Sequence, residues 1–346
     1  MPDFPIKFSL GGVSYGTIWS QFFPPKATLT EKNLPSQKGK IFIVTGGSSG
    51  IGYELSKILY GAGGKVYILT RSEKNAIQAI SEIKDAFQGR DSKDVGELIF
   101  VHMDLEDLDS VRSAASEFLA KEEELHILFN NAGVASVPAH KKTKQGLEYH
   151  IGVNTVGHVL LQSLLTPILA ETATNNPKDS VRAIWAASLL VEMGAPPGGV
   201  LVDQLDNPST DINEHYSASK TANWFAATEF ARRSGPQTGV VTVAVNPGTY
   251  VTNVWRTCPW YLYYPFWPLL RFPIQGAYTN MWAAFSDEVG MDDAVAGRYG
   301  MCDGRWHPGQ RDDLLLALKS KDEGGTGQAK ALFEWCEEKV KPYVTL

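Results

Sequence analysis

The stretch Ile41-Phe42-Ile43-Val44-Thr45-Gly46-Gly47-Ser48-Ser49-Gly50-Ile51-Gly52 constrains this chain more than any other. An apolar, mostly β-branched run enters a glycine-rich turn, and Tyr53 to Leu59 then takes up helical periodicity. A continuous apolar run suits a parallel strand buried on both faces. The glycines permit a tight turn, a close approach of phosphate to backbone, and close packing of the helix on the strand. The pyrophosphate of a dinucleotide would then rest on the unpaired N–H groups at the helix start. The spacing Gly46-x-x-x-Gly50-x-Gly52 is one residue wider than the usual dinucleotide fingerprint. Glycines at such spacing also arise for turn geometry alone. The strand before, the helix after and Thr45 favour nucleotide binding, with Thr45, Gly46, Ser48, Ser49, Gly50, Ile51 and Gly52 as contacts.

Further strands and helices alternate along the chain. Strands are expected at 65–70, 97–103, 125–129, 181–187 and 239–245, with helices over 73–87, 107–122 and 146–171. That alternation predicts an α/β fold, a doubly wound parallel sheet of Rossmann type covered by helices on both faces. Residues 1–38, with Phe4, Phe8, Tyr15, Trp19, Phe22 and Phe23, read as an arm packed on the main body, or as aromatics rimming a cleft. The catalytic domain is set at 39–302, and 303–346 is an extension with a short helix over 327–340. A net charge of −6 argues against nucleic acid as the main partner. Three widely spaced cysteines suggest neither a disulfide framework nor a metal site. The start shows no signal peptide, and no run approaches the length of a membrane span, so a cytoplasmic location is expected.

The second strand ends at Thr70-Arg71-Ser72. In a dinucleotide fold this position reads the adenosine ribose: a carboxylate would accept from a 2′-hydroxyl, a basic group would pair with a 2′-phosphate. Arg71 therefore predicts NADP(H) over NAD. Asp104 and Leu105 follow the third strand, where a carboxylate meets the adenine amino group or simply begins a helix.

Tyr216-Ser217-Ala218-Ser219-Lys220 opens a helix announced by Asp211 and Glu214. Tyr216 and Lys220, four apart, share a helix face. An ammonium near a phenol stabilises the phenolate and lowers its pKa from near 10 towards the range for proton transfer to a carbonyl oxygen. Tyr-x-x-x-Lys alone is common; with Ser188 closing a strand and the glycine turn upstream, coincidence is a poor explanation.

From about Lys40 to Cys302 the chain resembles the short-chain dehydrogenase/reductase family. The matching motifs are Thr45–Gly52, Asn130-Asn131-Ala132-Gly133, Asn154, Ser188, Tyr216 with Lys220, and Asn246-Pro247-Gly248-Thr249-Tyr250-Val251-Thr252. The resemblance implies that Tyr216 donates or accepts the proton and that Lys220 holds the nicotinamide ribose. It implies that Ser188 orients the carbonyl and that Asn154 anchors a proton-relay water. Asn131 would support the adenosine side, Pro247 and Gly248 with Thr252 would line the nicotinamide, and Ala132, Gly133, Thr249 and Val251 would be further cofactor contacts. The layout is most similar to the retinol-dehydrogenase-like branch and to fungal alcohol-dehydrogenase-type relatives. Ala187 departs from a serine common before Ser188, without touching the assignment.

Glu192, in the loop after Ser188, is a candidate substrate contact. The aromatic block from Trp255 to Phe272, within a lid at 253–275, places Trp255 and Trp260 among the substrate contacts. Such a block also suits a membrane surface, but it lacks a basic face, so lining for a bulky apolar molecule is the better reading. His158 and His215 are given no role. The expected activity is NADPH-dependent carbonyl reduction, or its reverse, on a hydrophobic small molecule by a monomer or homodimer. Imine reduction, reductive cyclisation and a cofactor-binding protein without turnover are the alternatives.

Overall fold

A computed structural model describes residues 13–206, 208, 211–250 and 270–345. Among these, eight strands form one sheet in the order β3-β2-β1-β4-β5-β6-β7-β8. They are β1 Ile41–Thr45, β2 Lys65–Thr70, β3 Glu97–His102, β4 Ile127–Asn130, β5 Arg182–Ala186, β6 Val241–Val245, β7 Tyr299–Met301 and β8 Arg305–Trp306. All neighbours run parallel except β7 and β8, which form an antiparallel hairpin. The strand order reverses between β1 and β4. Their carboxyl ends, Thr45 and Asn130, therefore diverge into the crevice where open α/β sheets bind ligands.

The helices used below are α1 Tyr15–Phe22, α2 Gly50–Gly61, α3 Glu73–Ala86, α4 Leu108–Leu119, α5 Tyr149–Thr174, α6 Leu190–Met193, α7 Ile212–Arg233, α8 Pro273–Phe285 and α9 Gln328–Val340. All five β1 residues are buried, as the uninterrupted apolar run requires. Helices α2, α3 and α8 close one face of the sheet around Phe42, Val44 and Ile68. Helices α4, α5, α7 and α9 close the other around Ile43, Tyr67 and Leu128. Each large side chain fully buried in these layers stabilises the fold by about 1.5–3 kcal/mol.

Three expectations change. The boundary at 302 cuts the β7–β8 hairpin, and Leu332, Phe333 and Cys336 of α9 belong to the main core, so the extension is structurally part of the domain. Residues 253–269 of the expected lid lie outside the described residues, and its last three, 273–275, belong to α8, whose proline at the first helical position starts the helix at 273. Finally, α5 is long and apolar enough to cross a membrane by length and composition, where the sequence showed no such run; 78% of its apolar window is buried within the protein. Helix α1 docks the arm on the body. Its buried residue is Gln21, whereas Tyr15, Trp19 and Phe23 face solvent and so do not form its anchor.

Candidate active site

The turn after β1 needs glycine at two points: Gly46 and Gly50 have φ of +67° and +55°. Gly52 needs it for space, since a Cβ there would lie 2.5 Å from the Gly46 carbonyl oxygen. Ser49 caps α2 without a side-chain hydrogen bond, which leaves the first-turn N–H groups available to an anion. The Thr45 hydroxyl accepts from the N–H groups of Asn131 (2.9 Å) and Ala132 (2.8 Å). Asn131 Nδ2 donates back to the Thr45 carbonyl at 3.0 Å. The turns after β1 and β4 are thereby locked together.

His158, given no role from sequence, completes that lock. Its Nδ1 lies 2.9 Å from the Asn154 carbonyl oxygen and its Nε2 3.0 Å from Thr45 Oγ1. A carbonyl cannot donate, so the single proton of the neutral ring sits on Nδ1 and the Thr45 hydroxyl donates to Nε2. Burial pushes the His158 pKa down to about 4, which keeps the ring neutral.

Asn154 lies in a π-helical turn, Gly152–Val156, near the start of α5. Its Oδ1 accepts from Val134 N (2.8 Å), and its Nδ2 donates to Val134 O (3.0 Å) and Ser219 Oγ (2.9 Å). Gly133 packs beside it: a Cβ there would stand 3.0 Å from Lys220 Nζ and 3.3 Å from Asn154 Oδ1. Helix α7 begins with Asp211 accepting from Asn213 N and Glu214 N. It carries Tyr216 and Lys220 inward. Lys220 Nζ donates to the Ala186 carbonyl at the end of β5 (3.0 Å), an oxygen shared with Asn223 Nδ2.

Burial pushes the Lys220 ammonium down to about 8. Burial also raises the Tyr216 phenol above its ordinary value, opposed by a hydrogen bond with Ser188. Lys220, expected to lower that pKa, does not enter this balance. Shared helix phase brings the two residues to one side, but Nζ reaches for Ala186 and stands 5.9 Å from the Tyr216 ring centre. Next to Tyr216, His215 and His150 approach Glu148 Oε1 at 3.4 and 2.8 Å. Burial alone would raise Glu148, but hydrogen bonds from both histidines and from the N–H groups of His150 and Ile151 hold it well below the usual carboxylate range.

Ser188 is fixed by Tyr299 of β7, whose hydroxyl accepts from Ser188 N (3.1 Å) and donates to Ser188 O (2.8 Å). Nothing in the sequence singled out Tyr299. For Glu192 the expectation is corrected. Its side chain is 0% exposed, Gln21 Nε2 donates to both its oxygens (2.9 and 2.8 Å), and His307 Nε2 lies 3.1 Å from Oε1. A carboxylate so engaged is structural and does not face a substrate. After β6, Gly248 (φ +109°) donates to Asn246 Oδ1 at 2.9 Å, and the Tyr250 hydroxyl donates to the Pro247 carbonyl. The Thr249 carbonyl accepts from Arg271 N at 3.1 Å. Val251, Thr252, Trp255 and Trp260 lie outside the described residues.

On the far side, Arg71 is 60% exposed and 4.0 and 3.8 Å from the carboxylates of Asp104 and Glu106. Asp104 Oδ1 also accepts from Glu106 N at 3.1 Å. Leu105 turns its side chain into the core, close against Gly157, so only its backbone is left to meet a ligand. Ser48 Oγ donates to Thr70 Oγ1 at 3.4 Å.

Comparison with known proteins agrees with this geometry. A family model described as short chain dehydrogenase matches residues 40–176. The chain is 39% identical to the short-chain dehydrogenase/reductase iacJ of Pestalotiopsis fici, covering 95% of this chain and 98% of that one. It is 40% identical to a short-chain dehydrogenase/reductase of Phomopsis amygdali, covering 96% and 98%. The chain belongs to the short-chain dehydrogenase/reductase family.

Membership makes this short-chain dehydrogenase/reductase an oxidoreductase. Solved structures share its fold. An uncharacterised protein from Mycobacterium paratuberculosis superposes with a TM-score of 0.65 at 24% identity, covering 90% of this chain and 97% of that one. The Pseudomonas aeruginosa RhlG/NADP complex superposes at 0.56 and 21% identity, covering 73% and 92%. A 3-ketoacyl-(acyl-carrier-protein) reductase from Brucella melitensis complexed with NADH superposes at 0.54 and 24%, covering 72% and 93%.

Proposed function

We propose that this oxidoreductase uses NADPH to reduce a carbonyl on a hydrophobic, aromatic or polycyclic small molecule, or runs the reverse alcohol oxidation. The observation that carries the reading is the convergence of Asn154, Ser188, Tyr216 and Lys220 at the carboxyl ends of β4 and β5, beside the glycine turn of β1. The uncapped start of α2 suits a pyrophosphate, and Arg71 at the end of β2 suits a 2′-phosphate. A bound nicotinamide cofactor supplies the hydride. Ser188 and Tyr216 hold the carbonyl oxygen, and Tyr216 gives its proton to that oxygen as negative charge develops. Burial, which raises this phenol, keeps on Tyr216 the proton that the step requires. Lys220 would bind the nicotinamide ribose and, displaced towards Tyr216, restore the phenol's proton. Asn154 would hold the water that feeds the relay.

Cytoplasmic action as a monomer or homodimer is part of this reading. The test is an NADPH-oxidation screen over aromatic, polycyclic and retinoid carbonyls and over cyclic imines, with product structures determined. Alcohol products from one such class are expected. Turnover confined to imines would move the enzyme to a different reaction, and no turnover with any compound overturns the reading.

A further inference from the structure

Helix α1 departs from the usual amphipathic arrangement: Tyr15 and Trp19 are exposed, Ile18 and Phe22 are half-buried, and the one fully buried side chain is an amide. Gln21 uses both ends of that amide. Its Oε1 accepts from Asn246 Nδ2 at 2.6 Å, and its Nε2 donates to Glu192 Oε1 and Oε2 at 2.9 and 2.8 Å. Its backbone carbonyl accepts from Cys302 Sγ at 3.3 Å, next to β7. Both side-chain partners lead straight to the site. Asn246 accepts from Gly248 N and so shapes the Pro247-Gly248-Thr249 turn after β6. Glu192 stands on α6, which begins just past Ser188 after β5, where Leu190 N donates to Ser188 Oγ at 3.1 Å.

The chain of hydrogen bonds has a direction. An Asn amide nitrogen can only donate and an ionised carboxylate can only accept, so the group between them must accept at one end and donate at the other. Glutamine does both without adding charge. A carboxylate at 21 would satisfy Asn246 but confront Glu192, and an apolar side chain would leave two buried polar groups short of a partner.

We propose that Gln21 is a positioning residue, a clasp by which the N-terminal helix sets the spacing between the Ser188 loop and the Asn246–Thr249 turn. Resting on the functional reading above, this spacing fixes how the nicotinamide end of the cofactor and the substrate oxygen meet Tyr216. Displacements of about 1 Å at such distances cost as much as a hundredfold in rate.

The test compares the wild type with Gln21→Glu, Glu192→Gln and the reversed pair Gln21→Glu/Glu192→Gln. NADPH affinity is measured by fluorescence titration, and kcat/KM with the best carbonyl from the screen. Gln21→Glu is expected to lose about tenfold or more in both, the size of a lost hydrogen bond to a charged group. The reversed pair restores the order, because the amide introduced at 192 would donate to the carboxylate introduced at 21, and Asn246 still donates to that carboxylate. Recovery to within about threefold of wild type is expected. Melting temperature and kcat are measured for every variant, so that a loss in kcat and NADPH affinity in variants that stay folded at the assay temperature marks a displaced site and not a destabilised fold. Gln21→Met, which keeps the length without a charge, is run in parallel and covers the case in which Gln21→Glu does not fold. A reversed pair no better than Gln21→Glu, or Gln21→Met equal to wild type, overturns the clasp and leaves the functional reading standing. A wild type that neither binds nor oxidises NADPH overturns that reading, and the clasp with it.

Discussion

After β2 the basic group of the site stands in water: Arg71 is 60% exposed and lies 4.0 and 3.8 Å from the half-buried carboxylates of Asp104 and Glu106. Around β5 to β7 the polar groups are buried and committed: Lys220 to Ala186, Ser188 to Tyr299, Gln21 to Asn246 and Glu192. Exposed ion pairs contribute about 0–1 kcal/mol and are screened by salt. Removing one member of a buried pair costs several times more, because its partner is left desolvated. The end proposed to choose the cofactor is therefore adjustable by single surface changes, whereas the end proposed to perform the chemistry is not.

The sharpest way to break this contrast is Tyr216→Phe. The ring stays, the proton leaves, and kcat is expected to fall about a hundredfold to ten-thousandfold. NADPH affinity should hold. A variant within a few-fold of wild type, with chemistry limiting the rate, would put the proton source elsewhere.

Lys220→Met separates function from stability. Burial lowers the Lys220 pKa from 10.5 to about 8, so between these values the unfolded chain binds the extra proton and stability rises with pH. Below about 8 both states are charged and the full burial penalty applies, on the order of 3 kcal/mol. The variant should lose rate and cofactor affinity yet melt at a higher temperature than wild type at pH 7. That advantage should shrink as pH rises from about 8 to about 10.5. A lower melting temperature at pH 7 would show that the Ala186 contact outweighs the penalty, although Asn223 still donates to that oxygen.

The smallest effect belongs to Arg71→Ala. A charge-assisted contact to phosphate reaches about a hundredfold in affinity when buried. An exposed arginine that must leave two carboxylates should give about tenfold or less. NADPH should bind more weakly, NADH almost unchanged, and the difference should narrow in high salt. Equal wild-type affinities for the two cofactors would remove the basis of the NADP preference.

What the sequence reveals follows from distance along the chain. The Gly46–Gly52 turn, Tyr216 with Lys220, and Ser188 carry their chemistry in local spacing, and the structure gathers them at one end of the sheet. Gln21 meets Glu192 across 171 positions, and Tyr299 meets Ser188 across 111. No local pattern announces such pairs, which is why Glu192 read as a loop residue facing substrate. Strand β7, three residues long, is too short to show a period. The direction taken by Lys220 Nζ was illegible for a related reason: helix phase gives a face, and the acceptor on Ala186 comes from another strand.

The π-helical turn at Gly152–Val156 has a consequence for anyone who alters this protein's length. Such a turn is an α-helix with one residue inserted, and deleting a residue there would give more regular backbone hydrogen bonds. It would also rotate one side of the helix against the other by about 100°. Asn154 and His158 now hold opposite ends of one hydrogen-bonded lock, the first against Val134 and Ser219, the second against Thr45. The shortened helix could satisfy one end or the other, never both: a more regular chain, one residue shorter, would have lost the junction between its first strand and its longest helix.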